Sequence, residues 1–296
     1  MSEPGEISED RGFKALVSSY PLETIEVFVP ELLAERGRPV SATVLQQESS
    51  LPDLADPSRF LDVALLATWA DGSMAVILLV EHWSQARKID LRRVNWYVAD
   101  LALRHPRALV CPVVLVTDPS AQAISDRLEM NVAGVTQCVL QVRIYRVTAA
   151  ELPRLRSLQN RVAAILTTLA MRDAVEAVVS ALEQMGRSPG PYDDMKRFLS
   201  FAVKLARMPA SDRPRFRRRL EEAGMDNVIL LMEEEARAQA RAEALARSSR
   251  ATVASFCRLV DRGVLSSEAA RAELQNLMDS GDIIREIGQD AQSQLK

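Results

Sequence analysis

The sequence predicts an α/β fold: a mixed sheet flanked by helices, followed by an all-helical C-terminal region. Three observations carry this. Short apolar runs rich in β-branched residues occur at Arg59–Trp69, Met74–Glu81 and Leu109–Thr117. Stretches with apolar spacing of three and four residues alternate with them, as α/β architectures require. After Ala149 the strand pattern stops and only helical spacing remains. The bulk composition agrees: 296 residues, 48% hydrophobic and 26% charged, sit in the ordinary globular range.

Residues 1–9 are polar and expected to be disordered. From Asp10 to Arg36 the spacing is helical, with Phe13, Leu16 and Val17 on one face and a break near Tyr20-Pro21. Leu22, Ile25, Val29 and Leu33 continue a face, and Pro30 is placed to kink or divide this part. Ala42–Gln47 fits a strand. Asp71-Gly72 is a hairpin-type turn between Arg59–Trp69 and Met74–Glu81, so these two form an antiparallel pair. The unbroken apolar run of the second arm marks a central strand covered on both faces. Ile89–Arg104 returns to helical spacing through Leu91, Val94, Tyr97, Val98 and Leu101. Leu109–Thr117 is a buried strand in spite of Pro112. Asp118-Pro119 has the form of a helix start, and Val135–Val147 reads as the last strand. The expected order is α, β, β, β, α, β, α, β, with a domain at 10–150 and a helical region at 151–296.

In that helical region Leu152–Met185 is one periodic stretch and Gly186–Pro191 a loop. Asp193–Arg207, Ser211–Ala223, Met225–Ser248, Ala251–Gly263 and Ser266–Ser280 follow, with Ser211 and Ser266 as N-cap candidates. Glu233–Arg247 is charged and Ala-rich with little apolar stripe. It fits a solvated connecting helix or a coiled-coil segment, and a homodimer through this region is one expectation.

Cys111, Cys138 and Cys257 are widely spaced and flanked by apolar residues. With two histidines in the chain they form no conventional zinc pattern, and they are expected to be buried in a reducing compartment. The N-terminus lacks the apolar core of a secretory signal, and the longest apolar run, Met74–Val80, is about a third of a membrane span. The expected location is the cytoplasm. The formal net charge is −3, which argues against a uniformly basic nucleic-acid binder. It is unevenly shared. Residues 1–150 hold 14 basic and 19 acidic residues (14 − 19 = −5), and residues 151–296 hold 23 and 21 (23 − 21 = +2). Arg213, Arg215, Arg217, Arg218 and Arg219 are clustered, as either a solvated helix face or a phosphate-contacting one.

The hairpin puts two acids, Asp62 and Glu81, in otherwise apolar strands. Buried carboxylates need a partner, a proton or a cation. Two from adjacent strands can share a hard divalent ion such as Mg²⁺, which activates water and offsets charge on a phosphate. The alternative is that both sit at strand ends and face solvent.

Several segments, in order, resemble the Rpn group, the recombination-promoting nucleases also called PD-(D/E)XK transposase-like proteins. Asp10-Arg-Gly-Phe-Lys-Ala-Leu-Val-Ser resembles the group's opening helix. Arg59-Phe-Leu-Asp-Val-Ala-Leu-Leu resembles its strand with a metal-binding Asp. Val76-Ile-Leu-Leu-Val-Glu-His-Trp-Ser resembles the strand ending in Glu-His-Gln-Ser. Arg92-Arg-Val-Asn-Trp-Tyr97 resembles the next helix, with Arg93 and Tyr97 on one face, and Val110-Cys-Pro-Val-Val-Leu-Val the next core strand. The resemblance spans about residues 10–150 and implies a restriction-endonuclease-like fold with metal-dependent cleavage of DNA phosphodiesters, linked to recombination or mobile DNA. It implies Asp62 and Glu81 as metal ligands, with Glu23 or Glu26 from the first helical part completing the shell.

One position departs from the group. Lys or Gln is expected two residues after the Glu, and Trp83 stands there. An indole has one N–H donor and no acceptor, so activity is either altered or lost, or another group replaces the missing one: Gln85 or Lys88 first, and Arg93 from the next helix behind them. Arg92, Arg93, Arg213 and Arg217 are the candidate DNA contacts. His82 alternates to the face opposite Glu81 and is expected to pack. Trp69 and Trp96 are expected in the core, whereas Trp83 can pack or stack on a base. The competing function is a non-catalytic interaction protein on a degenerate nuclease fold, acting through the helical half.

Overall fold

The computed structural model describes residues 8–45, 63–72, 74–85, 90–118, 124–188 and 193–294. The expectations for residues 1–7, Asp62, Lys88 and the helix start at Pro119 lie outside the described residues. Contacts divide the chain into two compact units, Met1–Gly224 and Met225–Lys296.

The first unit opens with three short helices, α1 (Glu9–Ser19), α2 (Pro21–Phe28) and α3 (Pro30–Arg36). Ser8 caps α1 by accepting from the Arg11 amide at 3.1 Å. Both breaks fall immediately before a proline that then serves the next helix's first turn, which a missing N–H favours. The strands β1 (Ser41–Val44), β2 (Val63–Thr68), β3 (Ala75–Trp83), β4 (Ala108–Val116) and β7 (Arg143–Tyr145) form one sheet in the order β1-β2-β3-β4-β7. The hairpin is antiparallel, pairing Val63 with Val80, and Gly72 takes the positive φ of its turn. β3 pairs with β4 in parallel, so the connection crosses over through α4 (Leu91–Arg104). Pro112 is tolerated because β7 pairs only with Val113–Leu115, leaving Pro112 outside that ladder.

Two expected elements differ here. Val135–Val147 is not one strand. β6 (Val135–Gln141) folds back on β5 (Arg127–Val132) in a separate two-stranded sheet, and β7 begins after Val142 in the main sheet. The reversal sits at Ala133-Gly134, both with positive φ, a twist that suits a tight hairpin. β-Propensity marks such a run as extended but says nothing of which sheet each half joins.

The expected domain limit at 150 moves to 224. α5 (Leu152–Ser157), α6 (Arg161–Thr167), α7 (Ala174–Arg187), α8 (Asp193–Leu205) and α9 (Arg213–Glu222) belong to the first unit. The stretch Leu152–Met185 is thus three helices. Asn160 and Asp173 cap α6 and α7 through their own side chains, and Gly186 lies inside α7 rather than in a loop. Packing of α2 on α6 and of α1 on α8 ties these helices to the sheet layer. Arg143 donates to Phe28 O at 2.8 Å and to Glu31 at 2.6 Å. Arg154 donates to Val27 O at 3.2 Å and to the Tyr145 hydroxyl at 2.5 Å. Burial pushes the Tyr145 hydroxyl up to about 12, so it stays neutral. Ser211 does not cap α9; it lies in a 3₁₀ turn, Ala210–Asp212, that runs directly into the helix.

The second unit contains α10 (Asp226–Asp261), α11 (Ser267–Ser280) and α12 (Arg285–Gln294). α10 runs unbroken across the expected boundary near Ser248. Ser249 folds its hydroxyl back onto Leu245 O at 2.7 Å and accepts from the Ile284 amide at 3.0 Å, so a serine pair is accommodated mid-helix. Ser266 caps α11 as expected, accepting from the Ala269 amide. Ala270, Leu274, Met278, Ile283 and Ala291 form this unit's core. From Glu234 to Ser248 nearly every described side chain of α10 is exposed. Among the described residues no helix is long and apolar enough to cross a membrane. The three cysteines are free and half-buried rather than fully buried.

A Cβ on Gly12 would lie 2.3 Å from the Phe201 ring, so α1 and α8 meet at a glycine for want of space. Gly12→Ala gains helix propensity but should cost a net 1–3 kcal/mol, roughly, through overpacking; urea unfolding reads this as a lower midpoint at unchanged slope. On the outer helices, hydrogen bonds from Arg215 and Arg219 hold the Asp173 and Glu176 carboxyls below their usual range. Depressed carboxylates contribute stability above their unfolded pKa and lose it as pH falls through the folded value. Arg219→Gln should therefore lower the melting temperature slightly at pH 7, and the gap from wild type should close below about pH 4.

Candidate functional site

β3 is nine residues long and apolar until its last turn of alternation. Ile77, Leu79 and Trp83 face α4, where they pack with Val94, Tyr97 and Leu101 and with Val114 and Val116 of β4. Glu81 lies on this same face, between Leu79 and Trp83. It is 0% exposed, the one acidic residue among the buried side chains of the described residues. An ionised carboxylate there requires compensation, and α4 supplies it: Arg93 Nη2 donates to Glu81 Oε2 at 3.2 Å. The Asp90 side chain caps α4 by accepting from the Arg92 and Arg93 amides, which fixes the helix start from which Arg93 reaches back. Val63, the first described residue of β2, pairs with Val80, the neighbour of Glu81.

Trp83 is 2% exposed and belongs to the core. Its Nε1–H and the Nε–H of Arg93 are buried with no acceptor among the described residues. Unmet buried donors of this kind are uncommon and cluster at sites that bind or react. Gln85 is half-buried just past the strand end.

His82 takes the opposite face, as its alternation requires. Its ring stacks near Phe13 at 5.1 Å, with Nδ1 3.0 Å from Asp10 Oδ1 and Nε2 2.9 Å from Thr117 Oγ1. It joins α1, β3 and the end of β4, and so packs and braces, as expected.

Glu26 and Glu23 do not meet Glu81. Glu26 accepts from the Asn160 side chain at 2.9 Å and from Arg38 at 3.4 Å. Glu23 accepts from the Arg161 amide at 2.5 Å and from its guanidinium at 2.6 Å. Both acids serve the N-terminus of α6, where unsatisfied amides and the helix dipole attract negative charge. Glu26 as a third metal ligand is thereby replaced by Glu26 as part of a helix clamp. Among the described residues no group of three metal-ligating side chains occurs. Glu81 is a buried carboxylate held by Arg93, Glu26 is engaged by Asn160 and Arg38, and Asp62 and Lys88 lie outside the described residues.

The arginine cluster is largely committed to acids. Arg215 pairs with Asp173, Arg219 with Glu176 at 2.6 Å, and Arg217 with Glu221 at 3.2 Å. Arg213 and Arg218 are exposed. On α4, Arg92 is exposed too. Trp96 is 46% exposed rather than in the core, while Trp69 is buried and donates to Gly37 O at 3.0 Å. Trp96 lies four residues after Arg92, on the side of α4 away from Val94, Tyr97 and Leu101. That spacing was open to reading from the sequence, since an inward Tyr97 turns residue 96 outward.

No family model, curated protein or solved structure matches this chain.

Removing Arg93 takes away a counter-charge that donates to the buried Glu81. Arg93→Met should destabilise the first unit by about 3 kcal/mol, and the double variant Glu81→Leu/Arg93→Met should recover most of that loss in chemical denaturation.

Proposed function

We propose that this chain is an endonuclease-like protein that hydrolyses DNA phosphodiesters with a divalent cation, on a restriction-endonuclease-like scaffold, in recombination or the processing of mobile DNA. The observation that carries the reading is the buried Glu81 at the C-terminal end of a central strand, compensated by Arg93 from the crossover helix. It joins the ordered series of segments that resemble the Rpn group. Asp62, the residue before Val63, and Glu81 would hold the cation, Mg²⁺ being the hard ion such donors prefer. When bound, that ion lowers the pKa of a water and offsets charge developing on the phosphate.

The protein's own groups have separate tasks. Arg93 holds the Glu81 carboxylate in place inside an apolar face by donating to its Oε2. Its side chain is 31% exposed, which leaves part of the guanidinium open to a phosphate oxygen. Gln85 or Lys88 takes the water-orienting role that Trp83 cannot fill. Trp83 excludes water from the inner side of the site through its packing against α4.

A second reading is a non-catalytic interaction protein on the same scaffold, acting through the helical half, with a homodimer as one form. The core position of Trp83, where the nuclease pattern has an amine or amide, favours it.

Plasmid nicking by purified full-length protein, with Mg²⁺, Mn²⁺ or Ca²⁺, separates the two. The nuclease reading expects cleavage that falls about 100-fold or more in both Asp62→Ala and Glu81→Ala. Cleavage that persists in both variants overturns the site. Absence of cleavage together with absence of an Asp62-dependent Mg²⁺ signal in calorimetry overturns the nuclease reading and favours the second.

A further inference from the structure

α4 does two things at once. Its inner face packs on β3 and β4 and sends Arg93 to Glu81. Its outer face carries Arg92, Trp96 and Leu103, which recur at the spacing of one helical face and lie in solvent. Within it, Arg92 and Trp96 are one turn apart, with Cβ atoms separated by about 5–6 Å. The Arg92 guanidinium has no partner among the described residues. Trp96 leaves nearly half of a large aromatic surface in water, the costliest such exposure among the described aromatic residues.

A cation beside an open indole is the combination that holds a nucleic-acid strand. The guanidinium takes a phosphate, and the ring offers a face on which one base can stack. Stacking needs a base whose face is free, which the interior of an intact duplex does not offer. Arg92 stands next in sequence to Arg93, the residue of α4 that reaches Glu81.

We infer that Arg92 and Trp96 form a single-strand contact in which Trp96 stacks on an unpaired base and Arg92 takes its phosphate, so that the chain acts on single-stranded or locally unpaired DNA in preference to intact duplex. This rests on the reading of the Glu81 end as a phosphodiester site for its purpose, but its binding arm stands apart from cleavage. The outward position of Trp96 keeps its replacement from disturbing the core.

The test is binding of the full-length protein to a fluorescent oligo(dT) and to a duplex of equal length, in Ca²⁺ at low salt. The expected result is tighter binding to oligo(dT), with quenching of tryptophan emission. Trp96→Ala should weaken it about tenfold, Trp96→Phe should retain most of it, and Trp96→Leu should behave like the alanine variant. Arg92→Ala should weaken binding and flatten its dependence on log salt by roughly one phosphate contact. Equal affinity for duplex, no binding to oligo(dT), or wild-type affinity in Trp96→Ala each overturns the inference. Wild-type affinity in Trp96→Leu also overturns it, since an apolar contact and not stacking is then at work. Trp96-dependent binding without any Glu81-dependent nicking refutes the nuclease reading and leaves this contact standing.

Discussion

The contact between α2 and the N-terminus of α6 holds the first unit together. Glu23 takes both the amide and the guanidinium of Arg161, and the guanidinium lies over the Tyr20 ring at 4.7 Å. Both side chains are largely out of solvent, 7% exposed for Arg161 and 17% for Glu23. Their attraction is therefore weakly screened, and neither partner is affordable without the other. Asn160 adds its own bond to Glu26 and caps the same helix. Because of this junction the helices up to α9 are part of the sheet domain rather than an appendage. The same junction removes two acids from any metal chemistry at the end of β3.

On the far side of the sheet layer the logic is inverted. Glu81 is placed where a carboxylate is unwelcome, at the end of a strand otherwise given to Val, Ile and Leu. The part-exposed Arg93 guanidinium donates to it. His82, one residue on, illustrates the contrast. With both ring nitrogens engaged and its ring against Phe13, it has become an internal brace.

Local signals were legible in the sequence, and long-range ones were not. The proline breaks at 21 and 30, the hairpin at Gly72, the buried runs of β3 and β4, the amphipathic α4 and the Ser266 cap all follow from spacing and turn chemistry. β5 escaped because its residues, Arg127–Val132, are mostly exposed and mixed in polarity, which gives a weak apolar signal. The division at Val142 escaped because period and propensity do not encode a change of sheet. The true roles of Glu23 and Glu26 depend on partners 138 and 134 residues away. Trp96 was misplaced by residue type, although its position relative to Tyr97 pointed outward. The acid at 81 was legible, and its counter-ion was legible only as a neighbour on the following helix.

The exposed middle of α10 has a consequence for its helicity. Residues 234–248 span about 22 Å of helix, and nearly every described side chain there is exposed. Its persistence then rests on alanine propensity and on charge pairs such as Glu233–Arg237 at 3.4 Å. Tertiary contacts do not respond to ionic strength in this way, but such pairs do. The helicity of this stretch is therefore set in part by the surrounding salt.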